Sequence, residues 1–130
     1  MSYIDGFLVP VAPGKEDAYR EMAAQAAELF MEHGATAVVE CLEDDVADGK
    51  VTDFRRAVAA EPGERIVFSW IVYPSKAVRD EANRKLMEDP RMQPQGEMPM
   101  NLERMIFGGF EPVVSTGSSD LETSGAAAPG

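Results

Sequence analysis

Residues 65 to 73 read Arg-Ile-Val-Phe-Ser-Trp-Ile-Val-Tyr, and this run constrains the fold more than any other part of the chain. Its β-branched and aromatic content marks a strand. Side chains alternate across a strand, so Ile66, Phe68, Trp70 and Val72 share one face. Val67, Ile71 and Tyr73 share the other, interrupted only by Ser69. A strand apolar on both faces belongs inside a sheet that is covered on both sides.

The remaining pattern supplies partners for it. Tyr3 to Val11 is a second two-faced strand, with Phe7, Val9 and Val11 opposite Ile4 and Leu8, and it closes at Pro10 and Pro13-Gly14. From Lys15 to His33 the period changes: Tyr19, Met22, Ala23, Ala26 and Phe30 recur at helical steps, and Gly34 stops the helix. Ala37 to Leu42 reads as a short strand. Residues 43–64 form a long connection with turn signals at Asp48-Gly49 and Pro62-Gly63, and Val51, Phe54 and Val58 space a short helix within it. Ser75 caps another helix through Val78, Ala82 and Leu86 that stops near Asp89, because Pro90 disfavours a helical residue before it. A Pro- and Met-rich stretch follows, and Arg104 to Val114 is the last strand.

The order strand, helix, strand, strand, helix, strand is the split βαβ, ferredoxin-like arrangement. It is an α+β fold, βαββαβ, whose four-stranded antiparallel sheet has two helices on one face. Residues 1–114 make one domain, and residues 115–130, rich in Gly, Ser and Ala, are expected to be a disordered tail.

Helices cover one sheet face only. The other would expose several hundred Å² of apolar surface, more than a monomer tolerates. Hiding ~600 Å² of it stabilises by on the order of 15 kcal/mol before association costs. Face-to-face packing of two copies about a two-fold axis, a dimeric α+β barrel, meets that demand. Folding of the 43–64 connection or the Met-rich stretch across the sheet is the competing solution.

Charge narrows the partners. The 130 residues carry 23 acidic and 12 basic side chains, a formal net charge of −11, which repels nucleic acid and anionic membrane surfaces. Arg55-Arg56 is the only adjacent basic pair. Cys41 is the only cysteine, so no internal disulfide forms. With no basic segment leading into an apolar stretch at the N-terminus and no apolar run of spanning length, a cytoplasmic protein is expected.

Several segments together resemble the YbaA-like family of small bacterial proteins: Tyr3-Ile4-Asp5-Gly6-Phe7, Val67-Phe68-Ser69-Trp70-Ile71, Tyr73-Pro74-Ser75-Lys76, Asp89-Pro90-Arg91-Met92 and Arg104-Met105-Ile106-Phe107-Gly108-Gly109-Phe110. The match runs in order over residues 1–114. The resemblance implies a fold similar to dimeric α+β barrel proteins and implies no particular chemistry.

Most candidate chemistries fail on spacing. Placing Gly49 at the sixth position of a calcium loop puts Val46 third and Arg55 twelfth, where oxygen ligands are required. Met92, Met98, Met100 and Met105 suit flexible gap-filling at a core edge or dimer seam better than soft-metal ligation. His33, the lone histidine, is a helix-end residue without partners for a catalytic triad. Ile106-Phe107-Gly108-Gly109-Phe110 lacks the basic opening of an RNA-recognition strand.

What remains is Asp5, Trp70 and Tyr73 on central strands, Asn83 and Arg79 on the second long helix, and Arg104 as an ion-pair partner for Asp5. A carboxylate in mid-strand must be paired, hydrated or shifted in pKa. These residues point to a homodimer binding a small organic ligand between sheet and helices, with Asp5, Trp70, Tyr73, Asn83 and Arg104 as pocket residues. No metal and no cofactor are called for, and cofactor-free catalysis is compatible with such a pocket. The alternative is a non-catalytic interaction module that meets a protein partner through its acidic surface and the 43–64 loop.

Overall fold

The computed structural model describes residues 1–94 and 96–117. From residue 118 onward, the tail expected in the sequence lies outside the described residues. The elements run β1 (Tyr3–Val11), α1 (Glu16–Glu32), β2 (Ala37–Leu42), α2 (Phe54–Ala57), β3 (Arg65–Tyr73), α3 (Lys76–Glu88) and β4 (Ile106–Phe110). The four strands form one antiparallel sheet in the order β2-β3-β1-β4, the ferredoxin-like order expected from the sequence.

Local chemistry sets the ends of the helices. Ser75 accepts a hydrogen bond from the Val78 amide and caps α3. Gly34 ends α1 with φ of 112°, and a Cβ there would stand 2.7 Å from the Val78 side chain. Glycine is therefore required both for the left-handed turn and for the approach of α3 to α1.

Register decides what each face carries. β1 and β3 pair along all their length, from Tyr3 opposite Tyr73 to Val11 opposite Arg65. Residues directly opposite each other share a face. Val9, Val11 and Val67 thus pack with Tyr19 and Ala23 of α1, and Ile71 and Tyr73 pack with Ala35 and with Ala82 of α3. Met100 and Met105 fill the edge of the first cluster, the gap-filling use of methionine.

The opposite face carries Ile4, Gly6, Leu8 and Pro10 of β1, Ile66, Phe68, Trp70 and Val72 of β3, Ala37, Val39 and Cys41 of β2, and Ile106, Gly108 and Phe110 of β4. Not one of them bears a charge, an amide or a hydroxyl. The chain covers one corner of this face itself. Phe54 of α2 meets Phe68 edge-on, with ring centroids 6.2 Å apart, and Ile66 is buried. Phe68 remains 46% exposed, Ile106 44% and Phe110 61%. The 43–64 segment therefore contributes to cover without closing the face.

The last strand is shorter than the sequence suggested. Asn101 Oδ1 accepts from the amides of Glu103 and Arg104, and the resulting 3-10 turn diverts residues 102–104 from the sheet. This local side-chain bond outcompetes strand extension. Pairing then begins at Ile106, which lies opposite Leu8, and Gly109 rather than Arg104 faces Asp5.

The expected Asp5–Arg104 pair does not form. Arg104 instead grips Glu64 with two bonds of 2.7 and 2.6 Å and donates to the Ala59 carbonyl at 2.9 Å. Arg55 completes the anchor through Glu43 at 2.7 Å and the Glu64 carbonyl at 2.9 Å. The 43–64 connection is thus pinned to the sheet at its base. Chiefly through Arg104, the Glu64 carboxyl is held below its usual range. Stability from this group is fully present above the unfolded value near 4.5 and is lost as pH falls through the lowered folded value. Arg104→Ala should lower the urea unfolding midpoint at pH 7, because it leaves the buried Glu64 carboxylate without its cation, and Glu64→Gln should flatten the fall in melting temperature between pH 5 and 3. An Arg104→Ala midpoint equal to wild type would refute the anchor.

Candidate functional site

The polar side chains of the sheet interior lie on the helix-covered face, in two groups. The first is at the Tyr3–Tyr73 end. Asp5 accepts from Arg79 Nε of α3 at 2.9 and 3.1 Å, and Arg79 Nη1 also donates to Asp80 at 2.9 Å. The guanidinium lies over the Tyr3 ring, 5.1 Å from its centroid. Gly109 makes this packing possible, because a methyl there would overlap the Tyr3 hydroxyl and come within 2.7 Å of Arg79 Nη2.

Burial raises the Asp5 pKa, and Arg79 opposes the shift without cancelling it; Asn83 is a further hydrogen-bonding neighbour that favours the carboxylate. Tyr73 is fully buried, and its hydroxyl has no hydrogen-bond partner among the described residues. Burial, with the charge of Asp5 added, pushes this phenol up to about 12.

The second group lies between α1 and β2. Glu40 stands directly opposite Ser69 in the β2–β3 ladder. Ser69 donates to Glu40 Oε1 at 2.9 Å, and Tyr19 of α1 makes a short bond to the same oxygen. Burial foremost, and then Glu40, raises the Tyr19 pKa. Beside this triad opens a cleft of about 260 Å³ walled by Ala23, Ala24, Ala27, Val38, Leu42 and Val67, with Glu16 and Arg20 from the first turns of α1. The space exists because α1 presents alanines where longer side chains would fill it.

Of the residues expected in a pocket, the structure brings Asp5, Tyr73 and Asn83 together. Trp70 is on the opposite face of the sheet, stacked edge-on with Phe68 at 5.6 Å. Arg104 is committed to Glu64. Tyr19, Glu40 and Ser69 were not among the expected pocket residues, although the sequence carries a signal for two of them. Ser69 was the single polar break in the inward row of β3, and Glu40 is a mid-strand carboxylate just as Asp5 is.

A third cluster joins α1 to the segment after α3. His33 Nε2 lies 3.7 Å from Glu32 and 3.9 Å from Asp89, and ligand atoms of the three come within 4.8 Å of one another. Arg91 occupies the space between the carboxylates, donating to each at 2.7 Å, and holds Asp89 down to about 2. A guanidinium already supplies the positive charge there, so the cluster is a tie between elements. His33 itself sits at the C-terminal cap of α1, as its place in the sequence implied.

The molecule is thus a ferredoxin-like α+β domain with an apolar open sheet face and a partly polar cleft beneath one helix. Residues 2–102 match the family described as "Protein of unknown function (DUF1428)", and the chain belongs to that family. It is similar to "Uncharacterized protein YbaA" of Escherichia coli (strain K12), with 63% identity over 115 residues that cover 88% of this chain and 98% of that protein. The YbaA protein of Shigella flexneri matches with the same figures. Among solved structures, that of Rv0793 from Mycobacterium tuberculosis aligns over 90% of this chain and all of that one, at 13% identity and a TM-score of 0.45. No helix among the described residues is long and apolar enough to cross a membrane.

Two outcomes check the buried Tyr73. Spectrophotometric titration should find Tyr73 near 12, not near 10. Its folded value is raised, so stability is fully present below about pH 10 and falls as pH rises toward 12. Tyr73→Phe removes a hydroxyl with no partner and should leave stability unchanged or raise it by about 1 kcal/mol. A loss above about 2 kcal/mol would show that the hydroxyl is bonded.

Proposed function

We propose that this protein acts as a cytoplasmic homodimer that binds a small organic molecule in each subunit, in the cleft between α1 and β2. One observation carries the reading: the sheet keeps its carboxylates and hydroxyls under the helices and has no charge, amide or hydroxyl on its open face. Sheets normally put polar residues toward water, so the open face is built for cover and the covered face for recognition.

A second copy supplies the cover. The exposed parts of Phe68, Ile106 and Phe110, with the half-buried Trp70, Leu8 and Ile4 between them, form a contiguous apolar patch of several hundred Å² per copy, the kind of patch that marks an interaction surface. Two such faces packed about a two-fold axis make the dimeric α+β barrel. The cleft supports the ligand half of the reading through its apolar walls and few convergent polar groups, the usual make-up of a small-molecule site. The single cysteine and the acidic balance support the cytoplasmic setting.

Sedimentation equilibrium at micromolar concentration should give a dimer for wild type, and Phe110→Asp should shift it to monomer by burying a charge in an apolar seam. Native mass spectrometry of the purified protein should show the dimer with added mass, and Ala27→Leu, which narrows the cleft, should lose that mass. A wild-type monomer at 100 μM, roughly a hundredfold above the expected range, would sink the dimer. A bare dimer that captures nothing from a fragment library would sink the ligand site.

A further inference from the structure

Both hydroxyls of the cleft triad converge on one oxygen. Tyr19 and Ser69 donate to Glu40 Oε1, while Oε2 accepts no hydrogen bond and Glu40 enters no ion pair among the described residues. This is unlike Asp5, whose two oxygens both meet Arg79. Arg20 lines the same cleft, yet its Nη1 is bonded to Asp17 at 2.7 Å. Glu40 thus lines the cleft with one carboxylate oxygen held by two donors and the other without a hydrogen bond, beside alanine, valine and leucine side chains.

We propose that the α1–β2 cleft takes a small protonated amine, whose ammonium pairs with Glu40 Oε2 and whose apolar body lies against Ala23, Ala27, Leu42 and Val67. The inference rests on this cleft being the ligand site and adds the class of ligand. Glu40 is half-buried and has hydroxyl donors but no cation beside it among the described residues, and an ammonium donor is the strongest complement of such a carboxylate. A second carboxylate, Glu16, borders the cleft and repels anions. The net charge of −11 raises the local concentration of cations around the molecule. A metal ion is a poorer fit, since hard cations require six or more oxygen ligands and the cleft supplies few. The volume of about 260 Å³ is under the ~300–1,000 Å³ of drug-sized sites, so the amine is small.

The test titrates the full-length chain calorimetrically with benzylamine, benzyl alcohol and benzoate, three probes of one shape and three charges. Benzylamine should bind best to wild type. Glu40→Gln, which keeps the shape and an acceptor for Tyr19, should weaken benzylamine roughly tenfold or more. Ala27→Leu should abolish its binding, and Tyr19→Phe, which leaves the carboxylate in place, should preserve the preference for amine over alcohol. Circular dichroism melts establish that each variant folds. If Glu40→Gln does not fold, the preference among probes in wild type, together with Ala27→Leu, decides.

Benzyl alcohol or benzoate binding as well as benzylamine, and lost in Ala27→Leu, would overturn the amine class while leaving the cleft as a ligand site. Benzylamine binding that is indifferent to both Glu40→Gln and Ala27→Leu would place it elsewhere and overturn the proposal. No binding by any of the three would overturn the amine class too, with the cleft itself then judged by the mass carried on the purified dimer.

Discussion

The ladder between β1 and β3 runs the whole length of both strands, nine residues each, and the rest of the molecule depends on its register. A slip of one residue would exchange the faces of the slipped strand. Phe68 and Trp70 would then compete for the space under α1 and α3, and Ser69 would turn to the open side. The observed register is fixed because only one arrangement places Val67, Ile71 and Tyr73 against Ala23 and Ala82. It also collects Asp5, Glu40 and Ser69 on the covered side.

Burying polar groups beneath helices requires that each find a partner, and the two inner groups meet that demand differently. At one end Arg79 closes over Asp5 and is itself clamped by Asp80 and Tyr3. Little is left over for a ligand beyond the Tyr73 hydroxyl. At the other end, three side chains satisfy one another through one carboxylate oxygen and leave the second open beside a void. A filled site rigidifies the fold, whereas an open one beside a cleft can recognise something. The contrast favours the Glu40 end of the sheet over the Asp5 end as the place for a ligand.

Anchoring of the 43–64 connection follows the same logic at the surface. Arg104 and Arg55 each bind carboxylate and backbone carbonyl oxygens together. That ties a long segment to the sheet and lets Phe54 shield Phe68. The mid-strand carboxylate Asp5 was legible as a residue needing a partner, but its partner was not. Arg79 and Arg104 were both available by composition, and choosing between them depended on a 3-10 turn set by Asn101. Trp70 shows the complementary limit. Strand alternation alone sets Trp70 on the face opposite Tyr73, so the two cannot line one pocket, and which of them is inside rested on which face the helices cover.

The sequence by itself determined the elements, their order and their two-faced strands, because hydrophobic period, caps and turn residues act over a few neighbours. β2 and β3 have the bounds the pattern implied, and α3 begins at its Ser75 cap. Tertiary structure alone decided which face the helices cover, which arginine meets Asp5, and where space is left. Those outcomes depend on contacts between residues 21 to 74 positions apart, such as Tyr19 with Glu40 and Arg79 with Asp5. A cleft is a property of what neighbouring side chains fail to fill, and alanines 23, 24 and 27 leave room only once α1 is laid against β2.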